Sequence, residues 1–428
     1  MQRSTRLDLT RRLRYFTALL AAFALAATAT ACSSDEEKKA TKASDETSES
    51  ISEDNAEEAE DDTSKEDDAE DNTDDPAEEY GAIPWETIAG TADCKCSDGS
   101  PYEYYVRKAD PKKVLFFLQG GGACFDGASC APDTKRFTPQ IGEGSRKLAA
   151  DGTGNGIFDY ENPNNPLADY SVVYAPYCTG DVHIGTATHD YGDGVVVEHK
   201  GRINASTARA EVKKQFPDAE TIVVAGESAG SIPTPLYAAE LSDDFPDAQF
   251  TVIADGSGGY PNEDSVIGFI GGLWGIGDGI PDWPELEGIP VEKFNFAEVF
   301  ISANKRNPNI VMTRHDYSFD QTQLSFSALA GFSADQQDKA MLTNEGLIED
   351  GDVNLLSYQD SGARHTVLSK PGFYTDTLNG VRYLDWITAI LNREELDGSD
   401  PADVHCVDCV TEPEGSTVAT AESSSSAG

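Results

Sequence analysis

The residues best placed to do chemistry in this chain gather at "AGESAGS" (225–231), where Ser228 stands between Gly226 and Gly230. A serine hydroxyl is a weak nucleophile until a neighbouring base takes its proton. Gly-x-Ser-x-Gly can hold such a serine on a tight turn, because the flanking glycines let the backbone pass close by. Three fixed letters are weak evidence alone, and the plain alternative is a Gly/Ser turn joining two elements. Context favours the turn that presents a nucleophile. "TIVVA" (221–225) reads as a buried strand and a helical stretch leaves on the far side, so Ser228 sits where strand gives way to helix.

Acyl transfer at such a serine also needs amide donors for the oxyanion, a base, and an acid to orient the base. "FFLQGGGACF" (116–125) offers the donors: an apolar strand ends at Leu118, and Gly120, Gly121 and Gly122 follow. The same glycines could form only a tight turn. A phosphate-cradling loop fits less well, since no Lys-Ser/Thr follows them. The chain has six histidines, and the order serine, acid, histidine leaves His315, His365 and His405. His365 lies in the polar turn "DSGARHTVL" just after an apolar run, where a base is expected, whereas His405 sits among cysteines and reads as structural. For the acid, "TRHDYSFDQTQ" (313–323) offers Asp316 and Asp320, and position alone does not separate them.

The elements that must carry these residues recur along the chain. Apolar, β-branched runs lie at 113–118, 171–175, 221–225, 250–254, 309–312 and 353–358, and none alternates, as expected for strands buried on both faces of a parallel sheet. Helical stretches at 204–216, 231–245, 322–332 and 383–393 fall between or after them. Strand–helix alternation predicts one α/β domain over 83–412, a central, mostly parallel sheet flanked by helices. A doubly wound nucleotide-binding sheet would show the same pattern, so the fold decides no function.

The ends of the chain read differently. A basic segment, a short apolar run and small residues up to position 31 predict an export signal, and Cys32 behind Ala29-Thr30-Ala31 predicts a lipidation site. Residues 33–82 read as an extended acidic tether: from Asp35 to Glu79 there are 22 Asp and Glu against 4 Lys. Residues 413–428 read as a low-complexity tail. The net charge of −44 exceeds what the tether supplies, so the folded part is acidic too, which argues against nucleic acid as a partner. Export makes disulfides the first reading for Cys94, Cys96, Cys124, Cys130, Cys178, Cys406 and Cys409, with Cys124 and Cys130 closing a short loop. A zinc site built from Cys94, Cys96, His405, Cys406 and Cys409 is the alternative. Seven cysteines remain after Cys32, an odd number, so one thiol is left over or the pairing differs.

The stretches "FFLQGGGACFDGASC", "YAPYCTGDVHIGT", "AGESAGS", "DQTQ" and "RHTVL…PGFYT" together resemble the pectin acetylesterase/Notum-type family of serine carboxylesterases, in order and spacing, over most of residues 94–393. The resemblance implies an α/β-hydrolase-like fold with Ser228 as nucleophile and His365 as base. It favours Asp320 over Asp316 as the acid, because Gln323 follows it at the family's spacing. It places the oxyanion amides at Gly121, Gly122 and Ala229, and matches Cys124 and Cys130 to a cysteine pair of the family. Gly122-Ala123 replaces the bulkier aromatic residues of plant and animal members, so a bacterial member is expected. The reading that follows is an exported, lipid-anchored monomer without metal or organic cofactor, hydrolysing an acetyl or other short acyl ester, with a polysaccharide among the candidate substrates. A lipase or serine peptidase on the same fold, or a non-catalytic surface lipoprotein, are the rivals. The loop "YCTGDVHIGT" is expected to line the rim of the site rather than to hold a metal.

Overall fold

The computed structural model describes residues 80–81, 83–333 and 337–406. The expected signal, Cys32, Cys409, the tail 413–428 and nearly all of the acidic tether lie outside them. Among the described residues, no helix is long and apolar enough to cross a membrane.

Nine strands form one sheet: β1 (Trp85–Ala89), β2 (Glu103–Arg107), β3 (Asp110–Leu118), β4 (Tyr170–Ala175), β5 (Thr221–Glu227), β6 (Gln249–Asp255), β7 (Val311–Tyr317), β8 (Leu355–Asp360) and β9 (Val404–His405). Their order is β1-β2-β4-β3-β5-β6-β7-β8-β9. From β4 to β9 every pairing is parallel, while β1 and β2 add an antiparallel edge. This is an α/β-hydrolase-like sheet, as the strand–helix alternation predicts.

Successive residues of a strand point to opposite faces, and here both faces are covered. Val114, Phe116, Ile222 and Val224 join one core layer with α2 (Gly201–Gln215), α3 (Thr234–Asp244) and α5 (Phe296–Arg306). Leu115, Phe117 and Val223 point the other way, against Leu384, Trp386 and Ile387 of α8 (Tyr383–Asn392). The uninterrupted apolar runs follow from this: with a layer on each side, a polar residue on either face needs a buried partner. Tyr80, expected at the end of the tether, packs on the second layer, and its carbonyl accepts Arg107 Nη2 at 2.6 Å.

Two departures have local causes. The run expected at 309–312 is a strand that continues to Tyr317, because its polar residues find buried partners: Thr313 Oγ1 donates to Val252 O at 2.8 Å, and Arg314 Nε meets Asp316 Oδ2 at 3.0 Å. The antiparallel edge β1–β2 was not expected; β1 is short and half exposed, and carries little apolar signal.

The cysteines also require a correction. Cys124 pairs with Cys130, but Cys96 pairs with Cys178, and Cys94, expected in a bridge, keeps a free buried thiol. Cys94 turns toward α2, with Sγ 3.3 Å from Thr207 Oγ1, whereas Cys96 lies 5.0 Å (Cα–Cα) from Cys178. Cys406 is also disulfide-bonded. Sulfurs held this way are not available as zinc thiolates. The Cys96–Cys178 bridge spans 82 positions. Chain-entropy arguments for a loop of that size predict that Cys96→Ala/Cys178→Ala lowers unfolding free energy by about 4 kcal/mol, measurable by denaturant titration.

Candidate active site

The parallel register sets the carboxyl ends of four strands side by side. Leu118 of β3 pairs with Gly226, Glu227 of β5 with Asp255 of β6, and Asp255 with His315 of β7. Loops leaving this edge carry the remaining candidates, at the place where parallel α/β sheets put their ligands.

Ser228 opens a single 3₁₀ turn (Ser228–Gly230) between β5 and α3, with φ at +53°. A non-glycine residue there is uncommon and costs roughly 1–2 kcal/mol, so the surroundings must impose it. They do so by contact. A Cβ on Gly226 would collide with the carbonyl of Gly230, and one on Gly230 with the carbonyl of Leu118, so the turn closes onto β3 only with glycine at both places. Ser228 O then accepts Ser231 N–H at 3.0 Å and Ser231 Oγ at 2.6 Å.

His365 stands on the loop after β8, its Nδ1 2.6 Å from Asp320 Oδ2. Asp320 is fixed in turn as the N-cap of α6 (Gln321–Leu329): its Oδ1 accepts the amides of Thr322 (2.8 Å) and Gln323 (3.1 Å). Gln323 Nε2 donates to Asp320 Oδ2 at 3.0 Å. A carboxylate at Nδ1 accepts a hydrogen bond from that nitrogen's N–H, which keeps the proton there and leaves Nε2 with its lone pair free. His365 Nε2 is buried and has no hydrogen-bond partner among the described residues, Ser228 Oγ included. In the absence of substrate such contacts are often long. Both residues line one cavity.

Burial works against the cation of His365, but the hydrogen bond and charge of Asp320, joined by the charges of Asp255 and Glu227, hold its pKa above the ordinary value. A base must be neutral to accept a proton. Activity that depends on it should therefore rise with pH through a midpoint above about 6.5, readable as the acid limb of kcat/KM.

Asp316 is placed apart from His365. It ion-pairs with Arg314, accepts Gly258 N–H at 2.8 Å, and shares Gln323 Nε2 at 3.0 Å. His315 is sealed in the core with Nδ1 2.7 Å from Asp255 Oδ1, and His405 meets Glu345 at 3.1 Å. Of the three histidines left open by chain order, only His365 faces the serine's cavity.

In the glycine loop, Gly122 has φ +81°, and a Cβ there would collide with the carbonyl of Arg136. Gly121 O accepts Thr138 N–H at 3.2 Å. The turn bonds named here use carbonyls, and none uses the amides of Gly121, Gly122 or Ala229. In the "YCTGDVHIGT" loop, Asp181 accepts Gly201 N–H at 2.7 Å and His183 Nε2 lies 2.8 Å from Gln119 O. Burial pushes Asp181 up to about 6 and His183 down to about 4. His183 thus holds the backbone just before the glycine loop, Asp181 holds Gly201, and Val182 between them lines an apolar cavity beside Ser228.

Ser228 opens onto two unlike cavities. One, of about 100 Å³, is almost wholly apolar, walled by Ala123, Phe125, Ile232, Ile267, Ile270, Trp274, Phe296 and Phe326. Much of one wall is α4 (Asp264–Trp274), an apolar helix that the sequence reading did not single out. The other is mixed: Gln119, Asn155, Glu227, Thr322, Ser369 and Lys370 stand around Ser228 and His365, beside Phe117, Leu148, Phe158 and Tyr174. Sequence reasoning also missed Glu227 and Asp255 as parts of this edge. Their signal was available: each is an acid closing an otherwise apolar strand, at the end where sites form.

Comparison with known proteins adds an independent line. Residues 78–268 match the family model described as Pectinacetylesterase. That stretch is a pectinacetylesterase-family domain. It holds the glycine loop, both disulfides given above and the Ser228 turn; Asp320 and His365 lie beyond it. The chain is also similar to palmitoleoyl-protein carboxylesterase NOTUM of Homo sapiens, 29% identical over 137 residues, which is 32% of this chain and 27% of that protein. Palmitoleoyl-protein carboxylesterase notum1a of Danio rerio is 30% identical over 144 residues, again 32% and 27%. The chain thus spans about a quarter of the length of these curated relatives. A third, inactive palmitoleoyl-protein carboxylesterase notum1b of Danio rerio, is 29% identical over 119 residues, 27% of this chain and 81% of that protein. Likeness of this degree includes an inactive relative, so an activity must be argued from the side chains of this site.

Proposed function

We propose that the chain is a serine carboxylesterase. The observation that carries this reading is His365, held by Asp320 at Nδ1 and open at Nε2 in the cavity that contains the strained Ser228 turn. Ser228 Oγ attacks the ester carbonyl as His365 Nε2 takes its proton. The tetrahedral oxyanion is met by the amides of Gly121, Gly122 and Ala229. His365 then protonates the departing alcohol, and water, deprotonated by the same imidazole, releases the acid from the acyl-enzyme. Asp320 keeps the imidazole in the required tautomer. The pectinacetylesterase match and the carboxylesterase names of the relatives support the reaction class.

The two cavities divide the substrate. The apolar one suits the acyl chain and the more polar, mixed one a hydroxylated alcohol, a sugar or a peptide side chain. An acetyl group, the expectation from sequence, would reach few of the aromatic and branched side chains that wall the apolar cavity. The cavity therefore favours a longer acyl chain, of the kind named for the palmitoleoyl-protein relatives. Each buried methylene contributes on the order of 0.8 kcal/mol. Hydrolysis of a series of aryl esters should then show kcat/KM rising from acetyl to at least octanoyl; a maximum at acetyl would restore the short-chain reading. Labelling by a fluorophosphonate, abolished in Ser228→Ala, tests the serine mechanism itself.

We also infer export, supported by the disulfides, which form in oxidising compartments. Attachment through a lipid on Cys32 belongs to this proposal and is tested by metabolic labelling with a fatty acid, against Cys32→Ser.

A further inference from the structure

The reaction just proposed leaves two acids of the site without a task. Asp255 and Glu227 end the neighbouring strands β6 and β5, and both turn toward the segment that follows His365. Asp255 Oδ2 accepts the amides of Val367 at 2.7 Å and Leu368 at 2.9 Å, while its Oδ1 meets His315 Nδ1. Glu227 takes the next residue: Oε1 accepts Ser369 N–H at 2.8 Å and Oε2 accepts Ser369 Oγ at 2.9 Å. Three consecutive residues of one loop are thus held by ionisable acceptors, one of them adjacent to Ser228 in the chain.

A turn needing acceptors could use carbonyls or hydroxyls, at less cost than taking carboxylates out of water. Carboxylate acceptors make bonds roughly twice as strong as neutral ones. The loop requires firm holding, since Thr366, between His365 and the clamped residues, has φ +63°, an outlying conformation for a β-branched side chain. The backbone of residue 227 leads directly into the nucleophile turn while its side chain grips the loop of the base. Any shift of one is passed to the other.

We propose that Glu227 and Asp255 are positioning residues for the base: by clamping residues 367–369 they set the His365 ring against Ser228 and Asp320. The proposal rests on the carboxylesterase reading above. Around the ring, Asp320, Asp255 and Glu227 all favour the imidazolium. Lys370 faces Glu227, and His315, itself near Asp316 and Asp360, faces Asp255.

The test compares wild type with Glu227→Ala, Glu227→Gln and Asp255→Asn on an aryl ester, with far-UV circular dichroism to confirm folding. Glu227→Ala should lower kcat by about tenfold or more with KM little changed, because loosening the base damages the transition state rather than binding. Glu227→Gln keeps an oxygen for Ser369 N–H and should recover most of kcat. It removes a charge that favours the imidazolium, so its acid limb of kcat/KM should move to lower pH. A role confined to loop stability would leave that limb in place. Wild-type kcat in Glu227→Ala, or an unmoved limb in Glu227→Gln, overturns the clamp. Should Glu227→Ala not fold, the limb of Glu227→Gln and the kcat of Asp255→Asn decide. A wild type that neither turns over ester nor takes a fluorophosphonate overturns the esterase reading and the clamp with it; an active wild type matched by all three variants overturns the clamp alone.

Discussion

Replacing Ser228 with alanine is expected to lower kcat on an aryl ester by roughly 10⁵- to 10⁶-fold while the protein stays folded. The size follows from the chemistry: without Oγ there is no acyl-enzyme, and only the polarised site and bound water remain to act on the ester. Folding should survive because Oγ makes no hydrogen bond among the described residues; the turn is held by Ser228 O, which accepts from Ser231, and by the glycines against β3. Alanine has to adopt φ near +53° without a hydroxyl, so stability should fall by about 1 kcal/mol or less. Steady-state kinetics with a thermal melt checks both halves. Turnover within tenfold of wild type would remove Ser228 from the mechanism.

Asp320→Asn should cost on the order of 10⁴-fold in kcat. This substitution is informative because Asp320 does two jobs through different oxygens. Its Oδ1 caps α6 by accepting Thr322 N–H and Gln323 N–H, and its Oδ2 meets His365 Nδ1. Asparagine is as good an N-cap as aspartate. It can keep the cap while presenting an amide to the imidazole, which favours the wrong tautomer and leaves no charge to stabilise the imidazolium. Asp320→Ala removes both functions and should also destabilise by about 1 kcal/mol. Asp316→Asn makes the contrast: Asp316 is engaged by Arg314 and Gly258, so its loss should register in melting temperature more than in kcat. Were Asp316→Asn the more damaging to turnover, the assignment of the acid would be reversed.

Much of this arrangement was legible in the sequence because its signals are local. The strand before Ser228, the glycines around it and the glycine loop after β3 each sit within about ten residues of the feature they specify. The choice of Asp320 over Asp316 was different in kind. Both lie on one short stretch, and only the likeness of "DQTQ" to a family pattern separated them before the capping geometry was seen. What stayed hidden was set by register and by distant loops. That Asp255 lies beside His315 depends on how β6 pairs with β7, and that Cys178 meets Cys96 depends on where the loop after β4 returns. The full length of β7 was obscured by its own polar residues, which read as loop until their buried partners are known. The apolar cavity draws on the Ser228 turn, α4 and α6 together, so no single segment announces it.

Because the polar and apolar cavities meet at Ser228, the proposed reaction has an order of departure built in. After acylation the chain stays seated among Phe125, Ile267 and Phe296, while the alcohol leaves on the side of Asn155, Ser369 and Lys370. Water must then enter by the doorway the alcohol has just vacated. Any small alcohol that fits there competes with it for the same acyl group, and the ratio of transferred to hydrolysed product would report on how well the polar cavity holds a hydroxyl.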